Sequence, residues 1–207
     1  MNKTLLQVNA SLFSDAGQSS VLANEFVAGW QQRNPGSTLI VRDLAREPVP
    51  HLTAERFQAF LAKSGERTAA QRAEVALSDT LIDELKRADI IVLGVPLYNF
   101  DVPSTLKAYF DHIGRAGVTF RYTEKGPVGL LTGKKMYVFA ARGGIYAGGP
   151  FDIQSAYLKN FLGLIGITAV EFVYAEGLAI SAASKEAAMA LARKTIERLD
   201  ARGLRAA

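Results

Sequence analysis

Short apolar runs rich in β-branched residues recur along the chain, separated by longer segments in which apolar residues repeat at helical spacing. The runs cover residues 5–8, 39–41, 90–95, 136–140 and 170–173. Continuous apolar runs of this length predict strands that are buried on both faces, as in a parallel sheet. Because the strands alternate with helices, the pattern predicts an α/β fold in three layers, with helices on both faces of one sheet.

Capping residues mark the helices that lie between these strands. Helices are predicted from Ser19 or Ser20 to Arg33, from Thr53 as a short helix, from Thr68 to Lys86, over residues 104–114, over residues 152–164, and from Ser184 to Gly203. In the last helix, Leu191, Ile196 and Leu199 are expected to face inward. Residues 118–131 alternate and contain a Gly-Pro pair, which predicts a β-hairpin insertion.

The number of strands bears on their order in the sheet. Of the two usual orders for such sheets, five strands favour the flavodoxin-like order 2-1-3-4-5 over the dinucleotide-binding type. The chain has 207 residues, which is enough for one full hydrophobic core and short for two. We therefore expect residues 1–207 to form a single flavodoxin-like domain.

Composition removes several classes of function. The chain has no cysteine, so it has no disulfides, thiolate nucleophiles or Cys-based metal sites. It has only two histidines, His51 in a proline-containing segment and His112 on the expected surface of a helix. Both are expected to be structural or exposed. With so few ligands and bases, neither a metal site nor a Ser-His-Asp triad is predicted.

The net charge of +4 does not come from a basic block, because Lys and Arg alternate with Asp and Glu along the chain. This pattern argues against nucleic acid and suits anionic ligands such as nucleotide phosphates. The longest uncharged apolar stretches, residues 90–100 and 160–170, are shorter than the about 18–20 residues of a membrane span. The first residues lack a signal-peptide pattern. A cytoplasmic protein with no membrane partner is predicted.

The loop between the first strand and the first helix has the character of an anion site. It contains Ser11, Gly17, Gln18 and Ser19, and a helix N-terminus offers free N–H groups and a positive dipole end. The loop lacks the glycine pattern of dinucleotide sites and the Gly-Lys-Ser/Thr of a P-loop. A single terminal phosphate, as in FMN, therefore fits better than a pyrophosphate. The alternative is an ordinary serine-rich N-cap.

A second loop follows the third predicted strand, at the edge of the sheet where α/β proteins bind ligands. Its residues Leu97, Tyr98, Asn99 and Phe100 place an amide between two aromatic rings. Such a loop offers hydrogen bonds beside apolar faces. The alternative is a turn whose aromatic rings pack into the core.

A third loop, Ala141, Arg142, Gly143 and Gly144, follows the fourth predicted strand. Paired glycines let main chain approach a ligand closely. Arg142 is expected to meet either an electron-rich ring oxygen or a carboxylate elsewhere in the fold. Together the second and third loops suit a flat aromatic ring with polar edges, which indicates a flavin. Since these loops contain no convincing acid, base or nucleophile, the chemistry is expected to belong to the cofactor.

Seven segments spread over nearly the whole chain carry a resemblance to a known family. They are VRDLA (41–45), PLYNF (96–100), LKAYFD (106–111), AGVTFRYT (116–123), TGKK (132–135), RGG (142–144) and FLG (161–163). In these segments the chain resembles the bacterial FMN-dependent NADH azoreductases, also described as NADH:quinone oxidoreductases. Any one segment alone is weakly specific, whereas the set is highly specific.

The resemblance implies a flavodoxin-like homodimer with one FMN per subunit and active sites at the subunit interface. It implies that NADH reduces the flavin by hydride transfer and leaves, and that a quinone or azo compound then takes both electrons from the same pocket, which avoids releasing a semiquinone. The FMN phosphate and ribityl chain would lie at Ser11 and at Gly17, Gln18 and Ser19. The ring would lie between residues 97–100 and 141–144.

Two positions depart from the family pattern. Ala141 stands where other members often have serine, so one flavin contact is expected to be weaker. Tyr146 stands where others have histidine, and it is expected to reshape the substrate pocket. Tyr122, on the hairpin, is expected to cover the substrate face of the ring.

Two other functions compete with the enzyme. A flavodoxin-like electron carrier would bind FMN without turning over a small substrate, but it needs an acidic docking face that this basic chain lacks. A phosphate- or nucleotide-binding module without redox function is supported only by the first loop.

Overall fold

The computed structural model describes residues 3–203, and the expected alternation of strands and helices is present throughout them. The strands are β1 (Thr4–Asn9), β2 (Thr38–Asp43), β3 (Ile90–Pro96), β4 (Phe120–Thr123), β5 (Gly126–Gly129), β6 (Lys135–Ala141) and β7 (Ala169–Ala175). The α-helices are α1 (Gln18–Arg33), α2 (Ala54–Leu61), α3 (Ala69–Arg87), α4 (Ser104–Ile113), α5 (Ile153–Ile165) and α6 (Ala182–Gly203). None of these helices is long and apolar enough to cross a membrane.

Five of the strands form one parallel sheet in the order β2-β1-β3-β6-β7. This is the predicted order 2-1-3-4-5, because β4 and β5 pair with each other outside the sheet. The two form the antiparallel hairpin predicted for residues 118–131. The flavodoxin-like fold class is therefore confirmed.

Successive side chains of each central strand enter different cores, because strand side chains alternate between faces. On β1, Leu5 belongs to the core that α1 and α6 cover, whereas Leu6 belongs to the core that α3, α4 and α5 cover. The first core includes Phe26, Trp30, Met189 and Ile196, and the second includes Leu81, Ile82, Leu106 and Leu158. The result is the predicted three-layer arrangement.

Two of the predicted helix caps are confirmed. The hydroxyl of Thr53 accepts a hydrogen bond from the Arg56 amide at the start of α2. Thr68 forms a reciprocal capping box with Gln71 at the start of α3. Both caps satisfy amides that have no partner inside the helix.

Two other predicted helix starts are wrong. Helix α1 begins at Gln18 after Gly17, so Ser19 and Ser20 lie inside its first turn and do not cap it. Helix α6 begins at Ala182, and the Ser184 amide donates to the Ser181 hydroxyl, so Ser184 is not the cap. In both cases a serine cluster offered several candidate caps, and the helix starts earlier than predicted.

The predicted inward face of α6 is partly confirmed. Ile196 and Leu199 are buried, but Leu191 is 60% exposed, so its prediction is wrong. Only one stripe of a helix can face the sheet, and here that stripe contains Met189 and Ala192.

Candidate functional site

The three predicted loops leave three strands that are neighbours in the sheet. Strand β3 pairs with β1 on one side and with β6 on the other, so the loops that follow β1, β3 and β6 share the carboxyl edge. From β1 the chain passes to β2 on one side and then returns to β3 on the other. Such a reversal of strand order leaves a crevice where α/β proteins bind ligands.

The start of helix α1 has unsatisfied donors. No side chain caps it, and its first turn contains no acidic residue. The hydroxyls of Ser19 and Ser20 are buried and have no hydrogen-bond partner among the described residues. Unpaired buried polar groups are rare and costly. Together with the free amides of the first turn, these hydroxyls are the groups that a phosphate would satisfy.

Ser11 and Gly17 fold the first loop tightly over this helix start. The Ser11 side chain is buried, and its Oγ accepts a hydrogen bond of 3.2 Å from the Phe13 amide. A Cβ atom at position 17 would lie 2.0 Å from the Ser11 Oγ. Only glycine fits there without displacing Ser11, so both predicted residues shape the loop.

The second loop contains a strained two-residue turn. The Tyr98 amide donates to the Asp101 carbonyl and the Asp101 amide donates to the Tyr98 carbonyl, each at 3.1 Å. Between them Asn99 and Phe100 have positive φ angles of 51° and 66°. This is a type I′ turn, in which glycine and asparagine are common, whereas Phe100 has a bulky side chain and loses about 1–2 kcal/mol there. Such strain concentrates at functional sites.

The third loop uses the side chain of Arg142 internally. Arg142 is 1% exposed, and its guanidinium pairs with Asp152 at 2.9 Å and with Glu176 at 3.2 Å. It also lies 4.8 Å from the centre of the Tyr174 ring. Of the two expectations for Arg142, the structure favours the carboxylate. Contact between this residue and a ligand would therefore come from its main chain.

The glycines of the third loop retain free donors. The carbonyls of Arg142, Gly143 and Gly144 accept hydrogen bonds from the amides of residues 177–179. The amides of Gly143 and Gly144 make no hydrogen bond with any residue that the structure describes. These two N–H groups suit the polar edge of a ring.

The second and third loops are in direct contact. The Leu97 amide donates to the Ala141 carbonyl at 2.9 Å. The ring of Phe100 packs edge-on against Tyr146, with ring centroids 5.4 Å apart. Tyr146 thus lies beside the predicted ring-binding residues.

A cleft of about 790 Å³ opens beside the second loop. Leu97, Tyr98 and Asn99 line it, together with Leu12 from the first loop and the further residues His51, Asp101, Val102, Pro103, Ser104, Lys107 and Tyr157. Burial, helped by the Asp111 and Asp101 carboxylates, raises the pKa of Tyr157 to about 12.

Tyr122 lies apart from the other predicted site residues of the same chain. It is 75% exposed and lines a separate groove of about 420 Å³, with Phe57, Phe60 and Phe161 among its neighbours. This groove and the cleft share no lining residue.

The two histidines differ in their surroundings. His51 is exposed at the rim of the cleft, as expected. The expected surface position of His112 is wrong, because its ring is fully buried, with Nε2 3.0 Å from the Pro50 carbonyl oxygen; this agrees with the alternative of a structural histidine. The segment before α2 covers this part of α4, and no local pattern signals that packing.

Sequence reasoning missed the residues that support the loops. Gln154 is fully buried and its side-chain amide donates to the Pro96 and Asp101 carbonyls. Asp152 was predicted only as a helix start, yet it also binds Arg142. Burial by itself raises the pKa of Asp152, but hydrogen bonds from Gly148, Ser155 and Arg142 outweigh it and hold that pKa below its ordinary value.

The parallel sheet defines a flavodoxin-like protein, and its loops form a candidate site at the β1–β3 crevice. Residues 3–199 match the family Flavodoxin_2, described as having a flavodoxin-like fold, and the chain belongs to this family.

Similar proteins agree along nearly the full chain. An FMN-dependent NADH:quinone oxidoreductase from Cellvibrio japonicus (strain Ueda107) is 58% identical over 194 residues, which is 94% of this chain and 96% of the relative. FMN-dependent NADH:quinone oxidoreductase 6 from Burkholderia lata is 53% identical over 193 residues, 93% of this chain and 98% of the relative. An FMN-dependent NADH-azoreductase from Bacillus anthracis str. Ames Ancestor, solved with FMN, has a TM-score of 0.86 at 30% identity, covering 98% of this chain and 99% of that one.

Proposed function

We propose that this chain is an FMN-dependent NADH:quinone oxidoreductase with azoreductase activity, and that residues 1–207 form its single FMN-binding domain. The strongest support is that three loops of the kind that binds ligands lie at one edge of the sheet. Each of them has free hydrogen-bond donors or a strained backbone. The names of relatives at 53–58% identity, and of a solved azoreductase with FMN, agree with it.

The residues present fit FMN. The buried, unpaired hydroxyl of Ser19 and the uncapped first turn of α1 would hold the phosphate, with Ser11, Gly17 and Gln18 shaping that pocket. Leu97, Tyr98, Asn99 and Phe100 would line one side of the ring. The free amides of Gly143 and Gly144 would meet its polar edge, beside Ala141 and Arg142.

When bound, FMN supplies the redox chemistry, taking a hydride from NADH and passing two electrons to a quinone or an aromatic azo compound. The protein's part is to bind and orient. Amide donors at the ring edge favour added negative charge there. The aromatic rings of Phe100 and Tyr146 give a flat substrate an apolar surface to stack on. No side chain is assigned as a catalytic acid or base.

We also propose a homodimer with active sites at the subunit interface, in the cytoplasm. Large apolar side chains are exposed at both the loops and the hairpin groove, including Phe100, Ile145, Phe151, Phe57 and Tyr122. Exposed apolar patches mark interaction surfaces. In such a dimer the partner subunit would supply Tyr122 to the substrate face of the ring. A solution mass of twice 22.4 kDa is expected, and a monomer at assay concentrations would count against the dimer.

The redox function is tested with the purified protein loaded with FMN under anaerobic conditions. NADH is expected to bleach the visible flavin spectrum, and a benzoquinone or an aromatic azo dye is expected to restore it. A yellow protein that NADH does not bleach would be an electron carrier. A protein that binds no FMN would leave only a phosphate-binding role.

A further inference from the structure

A buried polar network connects the second and third loops beneath the proposed ring site. At its centre Arg142 and Gln154 are both fully enclosed, with 1% and 0% exposure. The guanidinium Nη2 of Arg142 lies 3.4 Å from the Oε1 of Gln154. A cation beside that amide fixes its orientation, because the oxygen must turn toward the guanidinium and the NH2 group away from it.

The NH2 group of Gln154 then clamps both ends of the strained turn. Its Nε2 donates to the Pro96 carbonyl at 2.9 Å and to the Asp101 carbonyl at 3.2 Å. These carbonyls lie on either side of Asn99 and Phe100, the residues with positive φ. A strained turn persists only where its surroundings hold it. Gln154 supplies two of the bonds that do so.

The carboxylate partners of Arg142 hold, in the same way, residues 146–148, which follow closely after the third loop. One Oε1 atom of Glu176 accepts from Arg142 and from the amides of Tyr146 and Ala147, both at 2.9 Å. Asp152 accepts from Arg142 and, through its other oxygen, from the Gly148 amide at 3.0 Å. Arg142 is thus linked through Gln154 to the backbone at both ends of the second loop, and through Glu176 and Asp152 to the backbone just after the third loop.

We propose that Arg142 and Gln154 are positioning residues that fix the two ring-binding loops as one unit, and so set the affinity and reduction potential of bound FMN. This inference rests on the proposed FMN function. The Gln154 amide and both Nη atoms of Arg142 bond to other groups of the protein, so both residues act through the loops. Their effect passes through the main chain of residues 96–101 and 143–148.

The first test is Gln154→Leu, which removes the two donors without removing a charge. The dissociation constant for FMN, measured by flavin fluorescence, is expected to rise about tenfold, as the loss of one or two net hydrogen bonds would give. The midpoint potential of the bound flavin is expected to fall, because a looser loop stabilises the reduced ring less. The matched control is Ser78→Ala, which removes a buried donor to the His112 carbonyl, outside the three loops.

The second test is Arg142→Gln, compared with Arg42→Gln. Each arginine pairs with two carboxylates, Asp152 and Glu176 for Arg142, and Glu84 and Glu47 for Arg42. Both variants are expected to lower the melting temperature of the apoprotein. Only Arg142→Gln is expected to weaken FMN binding and to shift the potential. Arg142→Lys, which keeps the charge, is expected to recover part of the affinity and serves if Arg142→Gln does not fold.

The outcomes separate this inference from the proposed function. If the parent protein binds no FMN, the proposed function is wrong. If the parent binds FMN and is bleached by NADH, but the Gln154 and Arg142 variants match their controls in affinity and potential, the network is merely structural and the inference is overturned.

Discussion

Among single residues, Gly143 offers the clearest test of contact between the third loop and a ligand. Its φ is not positive, and a Cβ there would meet only the Ala179 side chain, at 3.3 Å. We expect Gly143→Val to fold, with the Ala179 methyl group displaced slightly, but to retain FMN poorly, because a branched side chain blocks the approach of a ring to the main chain. The readout is the FMN content after gel filtration.

Gly65→Val is the control for this substitution, because a Cβ at position 65 meets nothing within 4 Å and lies outside the three loops. It is expected to keep its FMN. Equal retention in the two variants would remove the third loop from the site.

His112 predicts a pH dependence of stability. Burial is the main influence, and it lowers the pKa of His112 despite the hydrogen bond to the Pro50 carbonyl. The unfolded chain therefore binds more protons than the folded one as pH falls below the ordinary value of about 6.5. The free energy of unfolding should have its largest value above that pH and should decrease as the pH falls further. For one group the decrease is at most about 1.4 kcal/mol per pH unit.

Denaturant unfolding between pH 7.5 and pH 5.5 measures this slope. Since the chain has only two histidines, two variants cover both. His112→Gln is expected to flatten the slope, whereas His51→Gln, at an exposed position, is expected to keep it. A slope unchanged by His112→Gln would show that another group causes it.

Among the elements, helix α1 is where binding and stability are expected to oppose each other. An unpaired buried hydroxyl costs about 1–3 kcal/mol, so Ser19→Ala should stabilise the apoprotein. The same change should weaken FMN binding by about ten- to a hundredfold, the range for one hydrogen bond to a charged group. Riboflavin, which has no phosphate, should bind the parent and the variant equally. If Ser19→Ala weakened the binding of riboflavin and of FMN equally, the phosphate would have to bind elsewhere.

The elements also show how far sequence patterns reach. The apolar strands and the caps at Thr53 and Thr68 were predictable, because each depends only on residues a few positions apart in the sequence. The type I′ turn at Asn99 and Phe100 was not, since a Tyr-Asn-Phe-Asp sequence contains no glycine to signal it. The clamp by Gln154 spans more than fifty positions, and a buried glutamine in a helix has no pattern of its own.

At the scale of the whole molecule, the sheet order explains why loops distant in sequence form one site. Segments near residues 17, 98 and 143 lie at one edge of the sheet because β1, β3 and β6 are neighbours. The three loops were predictable as candidates from the strands that precede them. The internal role of Arg142 was not decided by sequence, because its partner Glu176 lies 34 residues away on the far side of α5 and β7.

Hydrogen–deuterium exchange of the apoprotein, with and without FMN, tests most directly whether these three loops form the cofactor site. We expect FMN to slow exchange in peptides that cover residues 10–20, 97–101 and 142–149, and to leave the helix α3 peptides unchanged. Protection confined to other segments, with the three loops exchanging as before, would contradict the assignment of the site.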